Sequence, residues 1–182
     1  MKIIESPFDG CFLLKPHVIE DERGYFFESY NSQKFEQATG LSVNFVQDNQ
    51  SFSSYGVIRG LHSQANDFAQ AKLVRVLQGE VLDVVVDARK GSSTFGKSYT
   101  VRLSAENKLQ LFIPKDFYHG FAVLSDTAEF FYKCDNFYNR ESERGIHYAD
   151  PTLNIDWIIE EESRIITEKD LALPRFGEKR MS

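Results

Sequence analysis

The chain has 182 residues, 42% of them hydrophobic and 26% charged, with a formal net charge of −6. That length forms one domain with a substantial core, and that charge argues against binding to bulk nucleic acid. No apolar run approaches the roughly 20 residues of a membrane helix and no leader-like start is present, so a cytoplasmic protein without a membrane partner is expected.

The apolar segments are short and β-like, punctuated by Gly, Pro, Asn, Asp and Ser. In chain order, strands are expected over Tyr25–Tyr30, Val43–Ser51, Gly56–Leu61, Lys72–Leu77, Glu80–Ala88, Lys97–Leu103, Leu109–Ile113, Gly120–Leu124 and Ala128–Cys134. Short strands at this spacing indicate an antiparallel sandwich or barrel rather than a βαβ fold. Sixteen Phe and eight Tyr suit such a core, or stacking on a ring-shaped ligand. A helix is expected over Ser32–Thr39, with Ser32 as its cap and Gly40 as the left-handed residue that ends it. A second helical turn, Thr167–Leu171, opens on Thr167-Glu168-Lys169-Asp170, a capping-box pattern with Asp in place of Glu.

Gln78-Gly79 reads as a two-residue hairpin turn that pairs Leu77 with Glu80, Val74 with Asp83 and Lys72 with Val85. Lys72, Val74, Val76, Val81, Asp83 and Val85 then share one face. A valine face broken by one Lys and one Asp reads as a barrel lumen with a polar patch. Its charges pair with each other or with a ligand, because burying them alone is costly.

The stretch Arg59-Gly60-Leu61-His62 holds the chemistry, together with Lys72. An imidazole moves protons near neutral pH, a guanidinium clamps a phosphate, and an ammonium stabilises charge developing on oxygen. These three side chains suggest an enzyme acting on an anionic substrate with an acidic C–H, for which an acidic chain must build a local basic pocket. His62 as a base needs a carboxylate behind it, and both Asp170 and Asp83 are available; Asp170 serves equally as a helix-start residue. Tyr132 stands either as the opposing acid or as one more core aromatic. His119 stands either as a ligand contact or as a satisfied core histidine, while His17 and His147 have nothing converging on them. No carboxylate lies at ligand spacing from His62 or His119, so neither metal nor other cofactor is expected. Cys11 and Cys134 read as two free thiols.

Beyond these side chains, the sequence resembles the dTDP-4-dehydrorhamnose 3,5-epimerases of the cupin superfamily along nearly its whole length. The resemblance rests on Asp21-Glu22-Arg23-Gly24-Tyr25-Phe26-Phe27-Glu28, Gln47-Asp48-Asn49, Arg59-Gly60-Leu61-His62 and Lys72-Leu73-Val74-Arg75-Val76. It continues through Tyr132-Lys133-Cys134, Glu143-Arg144-Gly145-Ile146 and Glu168-Lys169-Asp170. It implies an all-β jelly-roll barrel over residues 1–182, in a homodimer whose N-terminal segments are exchanged. It also implies a metal-free site, since metal-binding cupins carry His-x-His where this chain has His62-Ser63-Gln64.

The implied substrate is dTDP-4-dehydro-6-deoxy-D-glucose, inverted at C3 and C5. His62 would be the base, Asp170 its orienting carboxylate, Lys72 the stabiliser of the enolate and Tyr132 the acid. Arg59 and His119 would contact diphosphate or sugar. Gln47, Asp48 and Asn49 would hold the nucleotide, with Arg23 and Glu28 of a neighbouring subunit, and Glu143 and Lys169 match further substrate contacts. Relatives that invert C3 alone share the same catalytic residues, so a 3-epimerase is the alternative. The chain departs from the family at Ser63, where Tyr is usual, in the proline-free loop Ala65-Asn66-Asp67-Phe68-Ala69, and at Ala71, where Gly is usual.

Overall fold

The structure, a computed structural model, describes residues 1–178; the last four positions of the expected 1–182 domain lie outside the described residues. Strands run in chain order as β1 (Lys2–Phe8), β2 (Cys11–Lys15), β3 (Ile19–Asp21), β4 (Gly24–Phe26), β5 (Gln47–Ser54), β6 (Ile58–Gln64) and β7 (Lys72–Gln78). They continue as β8 (Glu80–Asp87), β9 (Ser98–Ser104), β10 (Gln110–Ile113), β11 (Phe117–Val123), β12 (Thr127–Cys134) and β13 (Glu143–Gly145), with helices α1 (Ser32–Thr39) and α2 (Glu168–Leu171). One sheet has the order β1-β2-β10-β7-β12-β5, a second β13-β6-β11-β8-β9, and a small ribbon pairs β3 with β4.

The two large sheets face one another in the expected all-β jelly-roll arrangement. Val74, Val76, Leu111 and Phe130 of the first meet Val81, Val85, Phe121 and Val123 of the second in a shared core. The outer faces are covered as well. Phe35 of α1, with Phe45 and Tyr30, lies over Leu14, Leu73 and Phe112 of the six-stranded sheet. The segment containing Ile146, Tyr148, Leu153, Trp157 and Ile159 covers Ile58, Leu61, Leu82, Val84 and Ala122 of the five-stranded sheet. Cover on both faces explains why β8 is buried at successive positions rather than at alternate ones, with Val and Leu at five of its eight residues. The same C-terminal segment carries the chain round to α2, which it leaves beside β6.

The expected β7–β8 hairpin does not form. Both edges of β7 are taken by β10 and β12, and both edges of β8 by β11 and β9. Gln78 and Gly79 instead turn the chain from one sheet into the other, with Gly79 in the left-handed region at φ 78°. The shared face survives this change, because Val74 and Val76 still look across the lumen at Val81 and Val85. The helix α1 keeps its predicted span and its Gly40 terminus, but Asn31 rather than Ser32 caps it, accepting from the Lys34 N–H. Cys11 and Cys134 are buried and unbridged. Among the described residues no helix is long and apolar enough to cross a membrane.

Candidate active site

On β6 and β11 the cross-strand partner of His62 is His119. The backbones approach so closely here that both strands need glycine. A Cβ on Gly60, whose φ is +129°, would lie 2.6 Å from the Gly120 Cα, and one on Gly120 would lie 2.6 Å from the Arg59 carbonyl oxygen.

His62 Nε2 lies 2.7 Å from Asp170 Oδ1. Asp170 is 4% exposed and also accepts from the Gly60 N–H at 3.5 Å. Helix α2 presents this carboxylate because Thr167, not Asp170, supplies the cap: Thr167 Oγ1 accepts from the Asp170 N–H at 3.3 Å. The capping-box expectation is therefore half met, and the Asp170 side chain reaches His62 instead of its own helix. Burial raises the Asp170 pKa, but the hydrogen bond and the charge of His62 outweigh it and hold the carboxyl below its ordinary value. A carboxylate acceptor assigns the His62 proton to Nε2 and leaves Nδ1 with its lone pair.

Asp83, the other carboxylate available from sequence, does not serve His62, nor does it pair with Lys72. Its Oδ2 lies 2.9 Å from His119 Nε2. The site thus holds two His–Asp pairs on neighbouring strands.

The opposite sheet supplies the other wall. Lys72 opens β7 and Tyr132 lies on β12, with the Lys72 Nζ 5.8 Å from the Tyr132 ring centroid. Burial depresses the Lys72 pKa below the ordinary lysine value, opposed by Cys134, Asp83 and Glu143. Burial pushes the Tyr132 phenol up to about 12, with Cys134 adding to the effect and Arg59 opposing it. The phenol therefore keeps its proton at neutral pH and is available as an acid. Arg59 is aimed by Ser53, whose Oγ accepts from Nε at 3.1 Å.

These side chains border a cleft of about 430 Å³, within the range of ~300–1,000 Å³ common for small-molecule sites. Asn49, Arg59, His62, Lys72, His119, Tyr132, Lys169 and Asp170 all line it. Arg59, Lys72 and Lys169 make a local basic pocket in an acidic chain. Glu143 joins at the rim, 2.7 Å from Lys169 and bonded by the Tyr138 hydroxyl at 3.0 Å. Among the described residues no group of three or more His, Cys, Asp or Glu is placed to hold a metal ion.

Other expected contacts lie elsewhere in the chain. Asp48 alternates to the outer face of β5 and pairs with Lys133 at 2.9 Å. Gln47 sits nearer the mouth, donating to Asn49 Oδ1 at 3.0 Å and accepting from the Tyr138 N–H at 3.1 Å. Arg23 stands on the exposed β3–β4 ribbon paired with Asp21, and Glu28 pairs with Lys34; neither borders this cleft. Sequence reasoning missed Gln50, Ser51, Phe121 and Thr167, which also line the cleft. The period-2 alternation that places Asn49 inward would have found Ser51 and Ser53.

A sequence profile described as dTDP-4-dehydrorhamnose 3,5-epimerase matches residues 5–178. The dTDP-4-dehydrorhamnose 3,5-epimerase of Shigella flexneri is 51% identical over 176 residues, covering 97% of this chain and 96% of that protein. The crystal structure of the Elizabethkingia anophelis dTDP-4-dehydrorhamnose 3,5-epimerase superposes with a TM-score of 0.93 at 57% identity, over 97% of this chain and 96% of that one. That of the Legionella pneumophila dTDP-6-deoxy-D-glucose-3,5-epimerase, in complex with dTDP-4-keto-L-rhamnose, superposes with a TM-score of 0.89 at 47% identity, over 96% and 98%. A match this complete, over a fold with this cleft, establishes that the chain belongs to the dTDP-4-dehydrorhamnose 3,5-epimerase family.

Proposed function

We propose that this protein converts dTDP-4-dehydro-6-deoxy-D-glucose to dTDP-4-dehydro-L-rhamnose by inverting C3 and C5 through enolates. The observation that carries the residue roles is the pairing of walls: His62 with its carboxylate on one sheet, Tyr132 and Lys72 on the other, all bordering one cleft. His62 Nδ1 removes the proton from a carbon next to the C4 ketone. The C–H electrons form the C=C bond of the enolate and the carbonyl electrons move to the C4 oxygen, where the Lys72 ammonium stabilises the charge. Tyr132 delivers its proton to the opposite face of the carbon as the enolate reverts to the ketone, and solvent resets both side chains by taking the proton from His62 and returning one to Tyr132. The same sequence at the second carbon completes the double inversion.

Arg59 and His119 face the diphosphate or sugar in this reading, and Gln47, Asn49, Glu143 and Lys169 surround the rest of the nucleotide sugar. The cleft is completed in a homodimer by Arg23 and Glu28 of a second copy, with Asp48 among the nucleotide contacts there. Two features support the exchange. Those residues lie on a segment outside their own chain's cleft, and it exposes apolar surface with Tyr25 60% and Phe26 68% accessible. The domain then spans residues 1–182 and needs no metal or other cofactor. We place it in the cytoplasm, where thiols such as Cys11 and Cys134 stay reduced.

The test is incubation with dTDP-4-dehydro-6-deoxy-D-glucose in D₂O, followed by NMR of the product. Deuterium at both C3 and C5, in the L-lyxo configuration, supports the reading. Deuterium at C3 alone identifies a 3-epimerase and overturns the double inversion.

A further inference from the structure

Asp83 is the most deeply buried charged group near the cleft, 0% exposed on β8 and set among Val81, Val85 and Phe121. Only one of its oxygens is engaged. Oδ2 meets His119 Nε2 at 2.9 Å, while Oδ1 is buried without a hydrogen-bond partner among the described residues. A carboxylate left half satisfied in an apolar core costs stability, and apolar packing in place of both it and its histidine would avoid that cost. Stability therefore does not account for Asp83, and neither does the chemistry assigned above to His62, Lys72 and Tyr132.

What Asp83 does control is the state of His119. The ring is 7% exposed, lies near-parallel to Phe130 with centroids 5.9 Å apart, and borders the cleft. Its Nδ1 has no partner among the described residues, yet is not among the polar atoms sealed in without one, so it opens on the cleft. We propose that Asp83 is a positioning residue for the reaction: it accepts from the His119 Nε2–H, fixes the ring against Phe130, and supplies the buried counter-charge for the contact that His119 makes with an anionic oxygen of the substrate. This rests on the reading that His119 contacts the diphosphate or sugar. It makes the two dyads differ in use. Asp170 aims the His62 ring at the carbon that loses its proton, whereas Asp83 aims the His119 ring at an anionic group of the substrate.

The experiment compares wild type, Asp83→Leu, Asp83→Asn, His119→Ala and Asp83→Leu/His119→Ala for thermal stability, kcat, KM and dTDP affinity, with ¹⁵N NMR of the histidine rings. Asp83→Leu should raise KM and the dTDP Kd at least tenfold, change kcat less than KM, and move the His119 ring ¹⁵N shifts. In the double variant the Kd should match that of His119→Ala, because Asp83 acts only through His119. Asp83→Asn keeps the shape and an acceptor but not the charge, and carries the test should the leucine variant not fold. It should weaken dTDP binding severalfold with little loss of stability. Wild-type dTDP affinity and wild-type His119 shifts in either folded Asp83 variant overturn the proposal, as does a double variant markedly weaker than His119→Ala. Failure of the wild type to epimerise would instead count against the function proposed above, and leaves the dTDP affinity and the ¹⁵N shifts readable.

Discussion

His62 and His119 stand directly opposite each other on β6 and β11, yet each turns its Nε2 to a different buried carboxylate. The carboxylates come from opposite directions. Asp83 belongs to β8, the strand next to β11, while Asp170 arrives 108 residues after His62 on a helical turn packed behind β6.

Replacing Asp170 by Asn gives the most informative test of the first pair. An amide can offer an N–H to His62 Nε2, which moves the ring proton to Nδ1 and occupies the lone pair the base needs. By analogy with other orienting carboxylates behind a catalytic His, kcat should fall by about 10²–10⁴-fold with KM little changed. A variant with wild-type kcat removes Asp170 from the mechanism.

Lys72 should separate activity from stability. Burial depresses its pKa, so the ammonium is held at a cost to the fold. Lys72→Met, which keeps the length of the chain, should lose about 10²–10³-fold in kcat, the scale of one lost oxyanion donor. Its melting temperature should equal or exceed that of wild type. A coupled assay and a thermal melt check the two halves, and an active, less stable variant contradicts both.

The same shift sets the sign of the alkaline pH dependence. A lysine whose folded pKa lies below its ordinary value of 10.5 gives up its proton sooner in the native state, so kcat/KM should fall at a pH below the usual lysine range. Stability moves the other way there, because the unfolded chain binds the proton more tightly and the native state gains as pH rises through the depressed value. On the acid side the sign reverses. Asp170, held below the ordinary carboxylate value, contributes stability that is full above that value and is lost as pH falls through the depressed one. Rate and melting profiles from pH 3 to 11 check all three limbs.

Gly120→Ala tests the close approach of β6 and β11. A Cβ there meets the Arg59 carbonyl at 2.6 Å and Leu61 Cδ2 at 2.9 Å, both of them parts of the strand that carries His62. Overpacking of this kind costs about 1–3 kcal/mol, so the melting temperature should drop by several degrees and activity should fall with it. Unchanged melting would show that the strands have room to spare.

The strands legible from sequence were those rich in β-branched and aromatic residues. The span Lys72–Leu77 becomes β7 and Ala128–Cys134 becomes β12 with one-residue changes at an end. β1 was missed because Lys2–Phe8 is an exposed edge strand with polar and proline residues among its apolar ones. β13 is three residues long and exists only because β6 offers it an edge. The Tyr25–Tyr30 strand shrinks to Gly24–Phe26, since it has a single two-residue-turn partner in β3 and no larger sheet to join. The β7–β8 hairpin failed for a related reason: local turn chemistry is the same for a hairpin and for a corner between sheets, and only long-range pairing decides. In the site, residue types pointed to His62, Lys72 and Tyr132, but which Asp serves which His depends on contacts across 36 and 108 residues of chain, which no local pattern records.

Tyr132→Phe in D₂O tests the central claim, that a base on one sheet and an acid on the other flank the sugar. The phenylalanine keeps the ring that packs on Phe130 and removes only the hydroxyl. If Tyr132 is the acid, the variant still washes deuterium into the substrate through His62, while formation of the inverted product falls by about 10²–10⁴-fold. Inversion at the wild-type rate, or loss of exchange and inversion together, would contradict the account.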